Sequence, residues 1–241
     1  MNPSDLVDPI FWTALLKIIG VNIVLSGDNA VVIALAARSL HGRQQKQAIF
    51  WGSGAAIVLR ILLTLFAVAL LALPWLKLVG SVLLLWIGVK LLIPEDDDPD
   101  ITASDNLYAA IKTILIADLV MSLDNVIAVA AAAGGHWGLM IIGLAISIPL
   151  VIFGATLLVK VMERWPVIIT IGAGLIGFVA GEMAWEDGAI ASFTQAYQPM
   201  MKYVVALIGA AFVVGLGRIL VGRNLQQAEE QRMNPGVDHK P

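Results

Sequence analysis

Two short polar segments stand inside apolar runs of this chain: Ser26-Gly27-Asp28-Asn29 and Ser122-Leu123-Asp124-Asn125. Each has a further polar residue four positions before its serine, Asn22 in the first and Asp118 in the second. The result is two clusters of carboxylate, amide and hydroxyl oxygens. The chain has no Cys, and its three His (His41, His136 and His239) fall in expected loops or in the tail. Soft or borderline ligation of copper, nickel or zinc is therefore disfavoured, whereas an oxygen-only donor set suits Mg²⁺, Ca²⁺ or Mn²⁺. The same carboxylates could also relay protons. On a straight helix Asn22, Ser26 and Asn29 share one face, while Asp28 points about 120° away from Asn22. Either the helix opens near Ser26-Gly27, or Asp28 addresses a different neighbour from Asn29. Gly27 favours opening in the first segment; Leu123 disfavours it in the second.

The elements that position these residues follow from composition. Of 241 residues, 59% are apolar and 14% charged, and the mean hydropathy is +0.87. Soluble domains carry about 25% charged residues, so an ordinary soluble domain and a disordered chain are excluded. A net charge of −3 lacks the basic footprint of a nucleic-acid binder. A membrane span needs roughly 20 mostly apolar residues, and seven candidates are found, at about 10–37, 47–72, 75–93, 107–133, 138–160, 166–185 and 201–221. The N-terminal MNPSDLVDPIFW has no basic region of the kind that precedes a cleaved signal, so the first apolar stretch is expected to remain as a span. Between the third and fourth spans lies an acidic connector, 94–106 (PEDDDPDITASDN).

The segments 21–37 (VNIVLSGDNAVVIALAA) and 117–133 (ADLVMSLDNVIAVAAAA) align without gaps. Asn22 then meets Asp118, Ser26 meets Ser122, Asp28 meets Asp124 and Asn29 meets Asn125; further on, Pro74 meets Pro166 and Gly80 meets Gly172. Two three-helix units result, 10–93 and 107–185, followed by a seventh helix over 198–221 and a polar tail over 222–241. An odd number of spans per unit inverts the second copy, the build of many secondary transporters with a site near the midplane. Depth agrees: Asp28 lies ten residues before Arg38, and Asp124 ten before Gly134. At about 1.5 Å per residue, each is roughly 15 Å from opposite faces of a ~30 Å core. An ionisable group at that depth costs at least ~2.5 kcal/mol and marks a functional site by default.

Orientation follows the basic residues. One face receives Arg38, Arg43, Lys46, Lys90, Lys112, Lys160, Arg164, Arg218, Arg223, Arg232 and Lys240, 11 of the 15. That face is expected to be cytoplasmic, with the N-terminus outside, the C-terminus inside, and the connector and tail cytoplasmic. Lys17 and Arg60 fall within spans: Lys17 is expected to snorkel outward, and Arg60 to serve as counter-ion to one of the Asp residues. Glu182 is expected as an outer gate, a second ligand, or an interfacial charge beside Glu186 and Asp187. The tryptophans near span ends read as interfacial anchors, and the Gly-rich stretches as helix-packing surfaces.

With the segments 22–40 (NIVLSGDNAVVIALAARSL), 74–92 (PWLKLVGSVLLLWIGVKLL) and 116–133 (IADLVMSLDNVIAVAAAA), and the Gly181-Glu182-Met183 triplet, the chain resembles the TerC family of integral membrane proteins over about residues 10–221. The resemblance implies a metal-ion transporter, with manganese export the best-supported activity. Carried over by position, it implies Asp28 and Asn29 in the first copy, and Asp118, Asp124 and Asn125 in the second, as motif residues. Asn22 stands opposite Asp118, so the site is not charge-symmetric.

The expected fold is thus an all-α polytopic membrane protein, seven transmembrane helices built as two inverted three-helix repeats plus a C-terminal helix. The expected function is export of a divalent cation, Mn²⁺ foremost, across a cell inner (plasma) membrane, with the cation as transported substrate, the lipid bilayer as surroundings, and the seventh helix as a homodimer contact or a structural brace. Export against a negative-inside potential costs about 2.3 kcal/mol per charge per 100 mV. The chain has no GxxxxGK[ST] nucleotide loop, so coupling to entering protons is expected. An exporter of a small organic solute such as an amino acid is the alternative, and Arg60 is the feature in its favour. No GxSxG or HExxH motif is present, and an enzyme is not expected.

Overall fold

The computed structural model describes residues 12–13, 15–16, 19–20, 26–71, 73–93, 103–133, 137–194, 197 and 200–233. These residues are helical or turn, with no strand among them. We number the principal helices α1 (Gly27–Ala37), α2 (Gly42–Leu71), α3 (Leu76–Leu92), α4 (Ala103–Ala133), α5 (Trp137–Arg164), α6 (Val167–Trp185) and α7 (Met200–Met233). Among the described residues, five stretches are long and apolar enough to cross a membrane: Gly42–Thr64, Asn106–Leu123, Ile141–Arg164, Val167–Trp185 and Met200–Gln226. The helices overrun several expected bounds. In particular α7 continues to Met233 through polar residues expected to be tail, because Gln, Glu, Ala and Arg are good helix formers and extending an existing helix gains a hydrogen bond per residue. The expected connector over 94–106 falls mostly outside the described residues.

α1 is buried nearly all round, with Val32, Ile33, Ala34, Leu35, Ala36 and Ala37 at 0–6% exposure. A helix apolar on every side belongs at the centre of a bundle, and α1 accordingly contacts α2, α4, α5 and α6. Around it α2 lies along α4, α3 along α6, and α2 also meets α5, while α4 meets α3. The core joins α1 to Leu84 and Ile87 of α3, Ile114 and Met121 of α4, Met162 of α5, and Ile176 and Met183 of α6. Phe50 and Phe66 of α2, Trp86 of α3, Phe153 of α5, and Leu207 and Phe212 of α7 are exposed. Such a large apolar surface matches acyl chains rather than water.

α7 packs on α6 and α3. The close approach to α6 depends on glycine. A Cβ on Gly177 would lie 2.5 Å from the Gly209 carbonyl oxygen, and one on Gly181 would lie 2.5 Å from that of Val205. Gly177 and Gly181 form a Gly-xxx-Gly surface, the small-residue seam that lets membrane helices touch backbone to backbone.

Side-chain ties fix which helix ends share a face. Arg38, just past α1, donates through Nη2 to the Leu91 carbonyl at the end of α3, at 2.9 Å. At the opposite end of α3, Trp75 has φ +71°, a left-handed conformation uncommon for a bulky residue. It is held there by Asp187, beyond α6: Oδ1 accepts from Trp75 N at 3.2 Å and Oδ2 from Leu78 N at 2.9 Å. The same Oδ1 accepts from Ala189 N at 2.7 Å, starting the 3₁₀ turn Gly188–Ile190. One carboxylate thus caps two helical starts.

Candidate functional site

α4 presents Asp118 and Ser122 on one face, four residues apart, toward Arg60 of α2. The Arg60 Nη2 lies 2.5 Å from Asp118 Oδ1, and Arg60 Nε donates to Ser122 Oγ at 2.9 Å. Ser122 Oγ in turn donates to Asp118 Oδ2 at 3.1 Å, closing a three-residue ring. All three are buried, at 4%, 6% and 0% exposure for Arg60, Asp118 and Ser122. Burial of either charge alone would be prohibitive in a span; opposite charge and hydrogen bonds compensate. Arg60 is therefore the counter-ion of Asp118.

Beside this ring is a cavity of about 10 Å³, room for one water or one bare ion. Its polar lining is Ser26, Asn29, Ser53, Arg60, Asp118 and Ser147, drawn from α1 and its cap, α2, α4 and α5. Ser147 Oγ donates to the Gly143 carbonyl at 2.9 Å. The hydroxyls of Ser26 and Ser53, residues 5% and 1% exposed, have no hydrogen-bond partner among the described residues. Leaving a buried hydroxyl unpaired costs about 1–3 kcal/mol. Two such groups facing one cavity mark a place built for a polar occupant. A wider cleft of about 140 Å³ between the start of α1 and α5 shares Ser26, Ser147 and Val151 with it.

The structure brings two of the expected metal-site residues, Asn29 and Asp118, to the cavity. Asp28 is partly buried in the first turn of α1 and does not line it; its Oδ1 accepts from Asn29 N at 2.8 Å. A carboxylate is favoured there by the positive end of the helix. α1 begins at Gly27, and α4 runs unbroken through Leu123 and Asp124; residues 21–25, on which the expected opening of the first copy's helix turns, lie outside the described residues. The side chains of Asp124 and Asn125 lie outside those described, as do Asn22 and Lys17 entirely. Among the described residues, no three His, Asp or Glu side chains cluster to hold a metal ion; the cavity's donors are one carboxylate, one amide and three hydroxyls. Ser53 and Ser147 escaped the sequence reading. The signal was present: hydroxyls inside long apolar spans, with Ser147 two residues before Pro149 in α5.

Glu182 sits elsewhere, in an ion network at the C-terminal end of α6 and the N-terminal end of α3. Lys202 of α7 lies 3.3 Å from Glu182 and 2.5 Å from Glu186, and Lys77 lies 3.4 Å from Glu186. Glu182 thus pairs with Lys202 beside Glu186 and does not line the cavity. Burial pushes the Glu186 carboxyl upward, but the Lys202 hydrogen bond and the Lys202 and Lys77 charges outweigh it and hold it below its ordinary value. Burial acts upward on Asp187 too, and the backbone N–H groups of Ala189, Leu78, Trp75 and Lys77 outweigh it, leaving Asp187 below its ordinary value.

Residues 7–225 match the family described as "Integral membrane protein TerC family". The chain is 43% identical over 204 residues to "Uncharacterized membrane protein YjbE" of Bacillus subtilis strain 168, covering 85% of this chain and 93% of that protein. It is 26% identical over 191 residues to "Uncharacterized membrane protein YkoY" of the same strain, covering 70% and 59%. It is also 26% identical over 179 residues to "UPF0053 inner membrane protein YgdQ" of Escherichia coli K12, covering 67% and 75%. No solved structure shows a significant match. Matched by the family over nearly all of its length, and by a relative that it covers almost end to end, the chain belongs to the TerC family of integral membrane proteins.

Proposed function

We propose that this protein is a divalent-cation transporter, exporting Mn²⁺ through a site at the junction of α1, α2, α4 and α5. The observation that carries the reading is the buried one-ion cavity, where the carboxylate of Asp118, the amide of Asn29 and the Ser26 and Ser53 hydroxyls converge. These are hard oxygen donors, suited to Mn²⁺, Mg²⁺ or Ca²⁺. Asp28, next to Asn29 and two residues from Ser26, and Asp124, its partner in the repeat alignment, complete the set during transport. Protons entering through the same carboxylates drive export.

The architecture of the proposal is two inverted three-helix units, α1–α3 and α4–α6, with α7 as a brace, the N-terminus outside and the C-terminus cytoplasmic. Packing supports it. Exchanging α1 with α4, α2 with α5 and α3 with α6 turns the α2–α4 contact into α5–α1 and the α3–α4 contact into α6–α1. The α1–α4, α2–α5 and α3–α6 contacts map onto themselves. That is the signature expected of a pseudo-two-fold axis between repeats. The alternative of an organic-solute exporter is weakened by size, since the cavity holds one water, and by Arg60, whose guanidinium is engaged by Asp118.

The experiment is flux through reconstituted vesicles across a panel of divalent ions and amino acids under an imposed proton gradient. Mn²⁺ movement that depends on the gradient is expected. Movement of amino acids, with no divalent flux, would overturn the proposal.

A further inference from the structure

We infer that Arg60 is the site's built-in competitor: its guanidinium and the transported divalent cation take turns on Asp118, so that ion binding requires Arg60 to withdraw and its return expels the ion. The inference rests on the cavity being a divalent-cation site. Three observations carry it. Arg60 engages both reactive faces of the ring, Asp118 through Nη2 at 2.5 Å and Ser122 through Nε at 2.9 Å. The space left beside it, about 10 Å³, admits at most a bare ion or a water. The hydroxyls of Ser26 and Ser53 line that space without a partner among the described residues.

Charge makes the two cations exclusive. A guanidinium cannot shed its proton in a protein, so Arg60 cannot be neutralised in place. A divalent ion on the same carboxylate would set two cations side by side on the Asp118 oxygens, repelling each other in a poorly screened interior. The guanidinium is therefore displaced rather than joined, and its flexible stem allows it to move while Ser122 turns a lone pair to the ion. Only the α2 side supplies such a group. In the repeat alignment Ser26 is the counterpart of Ser122, yet the second unit's one arginine, Arg164, stands in the last turn of α5 and not at mid-span.

The test is equilibrium binding of Mn²⁺ alone to purified full-length protein, followed by flux in vesicles, for wild type, Arg60→Gln and Arg60→Lys. Arg60→Gln should bind Mn²⁺ at least tenfold more tightly and transport with lower KM and lower maximal rate, since release loses its displacing charge. Arg60→Lys keeps the charge but loses the two-pronged hold on Asp118 and Ser122, and should bind a few-fold more tightly; it carries the test if the Gln variant fails to fold. Unchanged or weaker binding by folded variants, with wild type binding Mn²⁺, would overturn the competition while leaving the proposed function standing. Absence of Mn²⁺ binding by wild type and both variants would overturn the proposed function itself.

Discussion

Asp187 is 2% exposed and spends its charge on backbone, accepting from Trp75, Leu78 and Ala189; Asp118 is 6% exposed and spends it on Arg60. Asp187→Ala leaves those buried N–H groups unpaired beside a left-handed Trp75, and should cost about 1–3 kcal/mol, read as a lower unfolding temperature in detergent. Because its folded-state carboxyl lies below the ordinary 3.8, its contribution is complete above that value and is lost as pH falls through the folded value. Asp187→Asn should therefore flatten the wild type's loss of stability on acidification below about pH 4. The capping role of Asp187 was not readable in sequence; the pairing of Arg60 with an Asp was expected there, but not which Asp. The partners of Asp187 at the start of α3 lie 109 and 112 positions away, and Arg60 and Asp118 lie 58 apart. What sequence did expose was that a charge at mid-span, such as Asp118 or Arg60, needs a partner; which partner depends on how α2 and α4 pack.

Five of the helices were legible because each holds a long apolar run broken by Gly, Pro or charge, whereas α1 (Gly27–Ala37) and α3 (Leu76–Leu92) are shorter than the spans expected over 10–37 and 75–93. Their ends were less so, since good helix formers carry α2, α5 and α7 past the apolar limits. The Gly181-Glu182-Met183 triplet divides its work between elements. Gly181 admits α7, Glu182 meets Lys202 at the start of α7, and Met183 is buried in the core. Gly181→Leu would drive a side chain into the α7 backbone, where a Cβ alone meets the Val205 oxygen at 2.5 Å. Overpacking of this kind costs about 1–3 kcal/mol or more, and thermal unfolding should show it. Gly222→Leu, in the same α7 but with no atom within 4 Å of its added Cβ, should be silent. If Gly181→Leu were equally silent, the glycine seam would not be what seats α7.

At the scale of the molecule, α1 and α4 each carry an Asp-Asn pair into a bundle in which several contacts of α1–α3 have counterparts among α4–α6, as the proposed repeat requires. The account places ion chemistry where those halves meet, with α7 outside them as a brace on α3 and α6. Asp118→Asn would leave Arg60 buried without its counter-charge, confounding loss of transport with loss of folding. Asp28 is only partly buried and its Oδ1 bonds to neighbouring backbone, so Asp28→Asn preserves shape and removes only charge. The most direct measurement is Mn²⁺ flux by vesicles carrying wild type, Asp28→Asn or Asp124→Asn at matched insertion. The account predicts that each single change reduces flux at least a hundredfold, because an amide is a far weaker ligand than a carboxylate for a hard cation. Native-rate Mn²⁺ flux by both variants would contradict it.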